Sequence, residues 1–189
     1  MNEGGEKQQQ ANLNASENAG RSEERKLSSK RNLSALACGI LALSVDLSTK
    51  HWAQSALQSG RVNSFLPPFL QLTLVTNAGA AFSMGNSNSF VVSLIATIVL
   101  FLLLFWYWRT LQTGFASALE QYGMAILIGG ALGNLSERYA IGHVTDFLEF
   151  MFVNFPVFNV ADVLIDVGIG LLILSSLLSS RKTETTGDS

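Results

Sequence analysis

The 189-residue sequence predicts an all-α membrane protein: four transmembrane helices with a small β-rich cap on the outer face. Three observations lead there. Apolar residues gather into long runs, charge is nearly absent from those runs, and a stretch of β-prone residues around Pro67-Pro68 separates the first run from the second. Hydrophobic residues make up 48% of the chain and charged residues 14%, and between Asn32 and Glu137 the charges reduce to Asp46, Lys50, Arg61, Arg109 and Glu120.

A bilayer core about 30 Å thick takes roughly 20 apolar residues as helix. Four segments come near that length: about Leu33 to Ala53, Phe90 to Trp108, about Leu119 to Leu135, and about Val160 to Leu178. The second carries no charge before Arg109 and is the clearest. The third contains Gln121 and several glycines and the fourth contains Asp162 and Asp166, so both read as spans with a polar face turned inward. Residues 1–31 are rich in Glu, Gln, Asn, Ser, Lys and Arg and cannot bury enough apolar surface to offset ordering entropy, which predicts a disordered tail. Because the first apolar run begins only after Arg31, it reads as a retained span rather than a cleavable signal peptide.

Basic residues set the orientation. Arg21, Arg25, Lys26, Lys30 and Arg31 precede the first span, Arg109 follows the second, and Arg181 and Lys182 follow the fourth. Positive charge stays inside, so both termini, including the 180–189 tail, are expected in the cytoplasm. Trp106-Tyr107-Trp108-Arg109 suits an aromatic belt at the cytoplasmic end of the second span. Within the 32–179 membrane domain the outer face then receives loops at about 54–89 and 139–158. The first holds the β-prone stretch from Val62 to Val75, which suggests short strands, and the second is rich in Phe.

Composition also excludes chemistry. A net charge of -2, spread over a mixed tail and a nearly uncharged body, points to no nucleic-acid partner. One cysteine, Cys38, allows no intramolecular disulfide and no thiolate cluster, and only His51 and His143 offer imidazole, so metal catalysis is disfavoured.

An ionisable side chain at the centre of a span costs at least about 2.5 kcal/mol, so each asks for a partner or a role. Asp46 and Lys50 lie four residues apart on one face of the first span, either as a structural ion pair or bordering a polar cavity that opens outward. Gly129, Gly130 and Gly133 permit close helix approach in the third span. Asn134 and Arg138 share a face at its outer end, where Arg138 either snorkels to the interface or presents a cationic fork to a site. Asp146 follows that span and Asp162 opens the fourth. Asp162 in Asn159-Val160-Ala161-Asp162 fits a capping box, and Asp146 fits a solvated loop. If instead the two carboxylates face each other, repulsion holds one proton between them, and the pair can activate a water while protonating a leaving amine.

The order of these blocks resembles the lipoprotein signal peptidase family over about residues 40 to 175. Asp46-Leu47-Ser48-Thr49-Lys50 is similar to its first-span element. Thr76-Asn77-Ala78-Gly79-Ala80-Ala81-Phe82-Ser83 is similar to its Asn-x-Gly-Ala-Ala-Phe block, and Gly129 to Arg138 to its Gly-rich block. Val144-Thr145-Asp146-Phe147 and Phe158-Asn159-Val160-Ala161-Asp162 resemble its two aspartate blocks. The resemblance implies an inner-membrane aspartic endopeptidase, without metal or organic cofactor. Such an enzyme removes the signal peptide from diacylglyceryl-modified prolipoproteins on the N-terminal side of the lipidated cysteine. It implies Asp146 and Asp162 as the catalytic pair, Asn77, Gly79, Asn134, Arg138 and Asn159 as substrate-binding residues, and Asp46 and Lys50 as their support. The lipid of the substrate would enter laterally from the bilayer. Leu47, Glu137 and Val163 depart from the family pattern, and Asp166 adds an acidic group on the face of Asp162. Without the resemblance, a proton-coupled transporter using intramembrane carboxylates is the main rival, although no internal repeat is evident. A lipoprotein substrate is a weaker one, since too few apolar residues precede Cys38, which reads as a buried thiol.

Overall fold

The computed structural model describes residues 3–79, 89–114 and 117–185. Its elements are α1 (Glu3–Ala56), β1 (Val62–Leu66), β2 (Leu70–Asn77), α2 (Ser89–Thr113), α3 (Ala118–Ile141), β3 (Val144–Phe150) and α4 (Val160–Thr185). Ala80-Ala81-Phe82-Ser83, the second half of one motif, lies outside the described residues.

Among the described residues, three helices are long and apolar enough to cross a membrane by length and composition: Leu27–Ala56 of α1, Phe90–Thr113 of α2 and Val160–Ser180 of α4. The expected third span is a helix of 24 residues, but α3 falls outside that set. The reason is its position, for α3 packs against α1, α2 and α4, so it can carry polar groups that meet partners on each. Gln121 donates to Asn32 at 2.6 Å, the Tyr139 and Thr97 hydroxyls meet at 2.7 Å, and Ser117 meets Ser175 at 2.6 Å. The α2 helix is the opposite case, with Phe90, Phe101 and Leu102 left exposed as apolar surface.

Residues 3–31, expected to be disordered, instead continue α1. Too polar to build a core, the segment is still rich in Glu, Lys, Gln, Arg and Ala, which favour helix. It also extends an existing helix and so needs no new nucleus. At the other end α4 runs through the first half of the expected C-terminal tail, to Thr185.

The two halves of the chain are stapled by a three-stranded antiparallel sheet in the order β1-β2-β3. The first two strands flank Pro67-Pro68 as expected, with a cis bond between the prolines. The third was unforeseen, since residues 139–158 read as loop. In fact α3 continues to Ile141, ends on Gly142 in the left-handed conformation (φ 79°) with its N–H on the Arg138 carbonyl, and turns directly into β3. Phe147 of β3 packs with Ala53 of α1 and Leu72 of β2, fastening the sheet to the helices.

Candidate functional site

The register of the sheet places the first pair of polar side chains. Val75 pairs with Asp146 and Asn77 with Val144, so Asn77 and Asp146 are diagonal neighbours on one sheet face. Asn77 Nδ2 donates to Asp146 Oδ2 at 2.9 Å. Gly79 enforces this orientation. Its φ of 101° suits glycine, and its N–H donates to Asn77 Oδ1 at 2.9 Å, turning the amide nitrogen toward Asp146.

The start of α4 supplies the second carboxylate. Asn159 is the N-cap, accepting the N–H of Asp162 on Oδ1, while Asp162 Oδ2 accepts the N–H of Asn159, each at 3.1 Å. This is a capping box, so the capping reading of Asp162 holds. It does not use up the residues. Asn159 Nδ2 also donates to Asp146 Oδ1 at 2.6 Å, and Asp162 Oδ1 accepts from Asn134 Nδ2 at 2.8 Å. Asn159 is therefore bonded to both aspartates.

Behind the aspartates lies the charged support. Lys50 Nζ donates to Asn134 Oδ1 at 2.7 Å, which aims the amide nitrogen of Asn134 at Asp162. Lys50 is also 2.9 Å from Asp46 and 3.5 Å from Glu137, and Asp46 and Lys50 are buried. Removing one partner of a buried pair costs about 3–5 kcal/mol, so these residues lock one another in place. Asp46 Oδ1 accepts the N–H of Ala161 at 2.8 Å, satisfying a free donor in the first turn of α4. The carboxylate fits only because the facing residue is Gly133, where a Cβ would collide with it. Gly129 and Gly130 likewise leave room for the backbone oxygens of Gly39 and Ala161.

A second bracket was missed from the sequence. Glu137, seen there only as a departure, accepts the Thr145 N–H at 2.8 Å, the Thr145 hydroxyl at 2.7 Å and Gln54 Nε2 at 3.1 Å. Gln54 donates again to Thr145 at 2.6 Å. Glu137 thus ties the residue before Asp146 to α3 and α1. Nothing in local spacing joins positions this far apart in the chain.

Asp146 and Asp162 line one cavity of about 400 Å³, with Asn77, Asp166 and an apolar wall that includes Phe150, Phe155, Val163 and Val167. Of the residues expected to bind substrate, Asn77 lines it, whereas Gly79, Asn134 and Asn159 hold the groups that do. Burial pushes the Asp146 carboxyl above its ordinary range; the amides of Asn77 and Asn159 pull it back, and the neighbouring charge of Asp162 raises it further. Arg138, also expected to bind substrate, is not among the residues that line the cavity. Its guanidinium feels Asp146, Asp162 and Glu137, and its Nη1 is buried with no hydrogen-bond partner among the described residues.

Fold and site define a helical membrane protein with a carboxylate pair in a pocket where the bundle meets the sheet. A family model described as Signal peptidase (SPase) II matches residues 38–178, and the chain belongs to that family. It is 39% identical over 144 residues to a lipoprotein signal peptidase of Gloeobacter violaceus, covering 76% of this chain and 82% of that one. To the lipoprotein signal peptidase of Lactococcus lactis subsp. cremoris it is 30% identical over 154 residues, covering 82% and 99%. A solved bacterial membrane enzyme superposes with a TM-score of 0.67 at 26% identity, over 76% of this chain and 92% of its own. A second superposes with a TM-score of 0.67 at 24% identity, over 79% and 90%, and shares the fold. The chain is thus a membrane protease of the signal peptidase class, and the transporter reading is set aside.

Proposed function

We propose that this chain is an aspartic endopeptidase that removes the signal peptide from diacylglyceryl-modified prolipoproteins, cutting on the N-terminal side of the lipidated cysteine. The observation that carries the reading is the pairing of Asp146 and Asp162 on one cavity wall, linked through Asn159. The pair holds one proton. Its ionised member takes a proton from a water whose oxygen attacks the scissile carbonyl carbon, and its protonated member gives its proton to the departing nitrogen as the C–N bond breaks. Arg138, outside the cavity lining, contributes a positive charge that interacts with both aspartates. Asn77, Asn134 and Asn159 keep each carboxylate aimed, with Gly79, Asp46 and Lys50 behind them. No metal or organic cofactor enters these steps.

The setting is the inner membrane, with α1 to α4 as four spans and both termini in the cytoplasm. The sheet lies over the outer end of the bundle. The apolar wall of Phe150, Phe155, Val163 and Val167 suits a lipid-bearing peptide arriving laterally from the bilayer. Incubating the purified protein with a diacylglyceryl-modified precursor and with its unlipidated form tests the proposal. The lipidated precursor is expected to be cut and the other spared; cleavage of neither would refute it.

A further inference from the structure

Asp166 is the acidic residue that neither the capping network nor the catalytic pair uses. It lies four residues beyond Asp162, hence on the same face of α4 and about 6 Å deeper along the helix. It lines the same cavity, is exposed, and makes no hydrogen bond or ion pair among the described residues. Among the described residues that line the cavity, Asn77 is the one with a side-chain donor and its amide is bonded to Asp146, while no Lys, Arg or His is present. In the empty site, water can solvate the carboxyl. Once a lipid-bearing peptide fills the cavity that water leaves, and a polar group buried without a partner is costly. The partner must then come from the occupant. The diacylglyceryl group carries ester oxygens, which accept hydrogen bonds but donate none, so the peptide has to supply the donor. Backbone N–H groups of a membrane-embedded peptide are committed to its own hydrogen bonds, so the donor is a side chain. A hydroxyl supplies it at little cost within a span, whereas a lysine ammonium is itself expensive there.

We propose that Asp166 forms a polar subsite selecting precursors with a serine or threonine among the signal-peptide residues near the cut. This rests on the endopeptidase reading above. A site that must hydrogen-bond a substrate hydroxyl discriminates against the substrate lacking it, because its own polar group is left unpaired.

The test uses the full chain in lipid nanodiscs. Diacylglyceryl-modified precursors carry serine in place of alanine at each residue before the cysteine, one at a time. At one position the serine precursor is expected to be cut roughly tenfold more efficiently, mostly through KM. Asp166→Leu should reverse that order, favouring the alanine precursor, and Asp166→Asn, which keeps an acceptor oxygen, should restore the preference in part. Cleavage without any serine preference, or a preference that survives Asp166→Leu, overturns the subsite and leaves the endopeptidase reading standing. Cleavage of none of the precursors overturns both.

Discussion

Asn159 and Asp162 hold each other at the start of α4, each accepting the other's backbone N–H at 3.1 Å. Because that exchange occupies Asn159 Oδ1 and leaves its Nδ2 for Asp146, one side chain starts the helix and orients the carboxylate on a distant strand. Capping and chemistry are thus joint properties of one arrangement.

The two roles separate by substitution. Asn159→Ser retains a capping oxygen, while Asn159→Ala does not, so the alanine variant should be about 1 kcal/mol the less stable of the two in denaturant unfolding. Neither reaches Asp146. Both are expected to lose at least roughly tenfold in cleavage, since charge-assisted hydrogen bonds are among the strong ones. Near-parental cleavage by Asn159→Ser would show that capping alone matters.

Glu137 should act on rate through Thr145. Glu137→Gln turns one acceptor into a donor facing other donors, so the bracket on Thr145 loosens and Asp146 shifts. A decline of roughly tenfold or more in kcat with little change in KM is expected, because misplacement of a reacting group by about 1 Å costs this much or more. Glu137→Asp keeps the charge but shortens the reach, and should fall between the two. An unchanged kcat in the Gln variant would mean that this bracket does not govern Asp146.

How much of this was legible follows from where each relationship lives. Asp46 and Lys50, four apart on one helix, declare their pairing in the sequence. β1 and β2 were visible because β-prone residues flank Pro67-Pro68. β3 was not, for its alternating sets, Val144-Asp146-Leu148 and Thr145-Phe147-Glu149, each mix polar with apolar residues and give no period-two signal. The motif blocks drew the eye to both aspartates, but the Glu137-Thr145-Gln54 bracket joins residues up to 91 positions apart and exists only once α1, α3 and β3 are packed. The helical tail escaped because a composition that forbids a core does not forbid a helix.

Asp146 also predicts a pH dependence of stability. Its carboxyl is raised by burial, so the folded state favours the protonated form. That contribution is fully present below about 3.9, the ordinary aspartate value, and is lost as pH rises through the raised one. Asp146→Asn carries no such charge. One side of the new amide meets the donors of Asn77 or Asn159, a fixed cost, so the expected signature is the trend. The melting temperature of Asp146→Asn relative to the parent should rise from about pH 4 to neutral pH, an advantage that shrinks on acidification. An advantage that grew on acidification would contradict the direction assigned.

Arg138→Lys tests whether a planar fork is needed beside the aspartates. A lysine keeps the charge but is a point donor, so cleavage should drop by roughly tenfold, with folding retained. Equal cleavage and stability would return Arg138 to interfacial snorkelling.

The most direct measurement is cleavage of the lipidated precursor by Asp146→Asn, Asp162→Asn and the double variant, matched for membrane insertion and for binding of an uncleaved substrate mimic. Asn at 162 can still accept the Asn159 N–H, so the start of α4 should survive while proton transfer does not. Each single variant is expected to lose all detectable cleavage, with the double variant scarcely worse, because the two groups act as a unit. Substantial cleavage by either single variant would contradict the assignment of Asp146 and Asp162 as the catalytic pair.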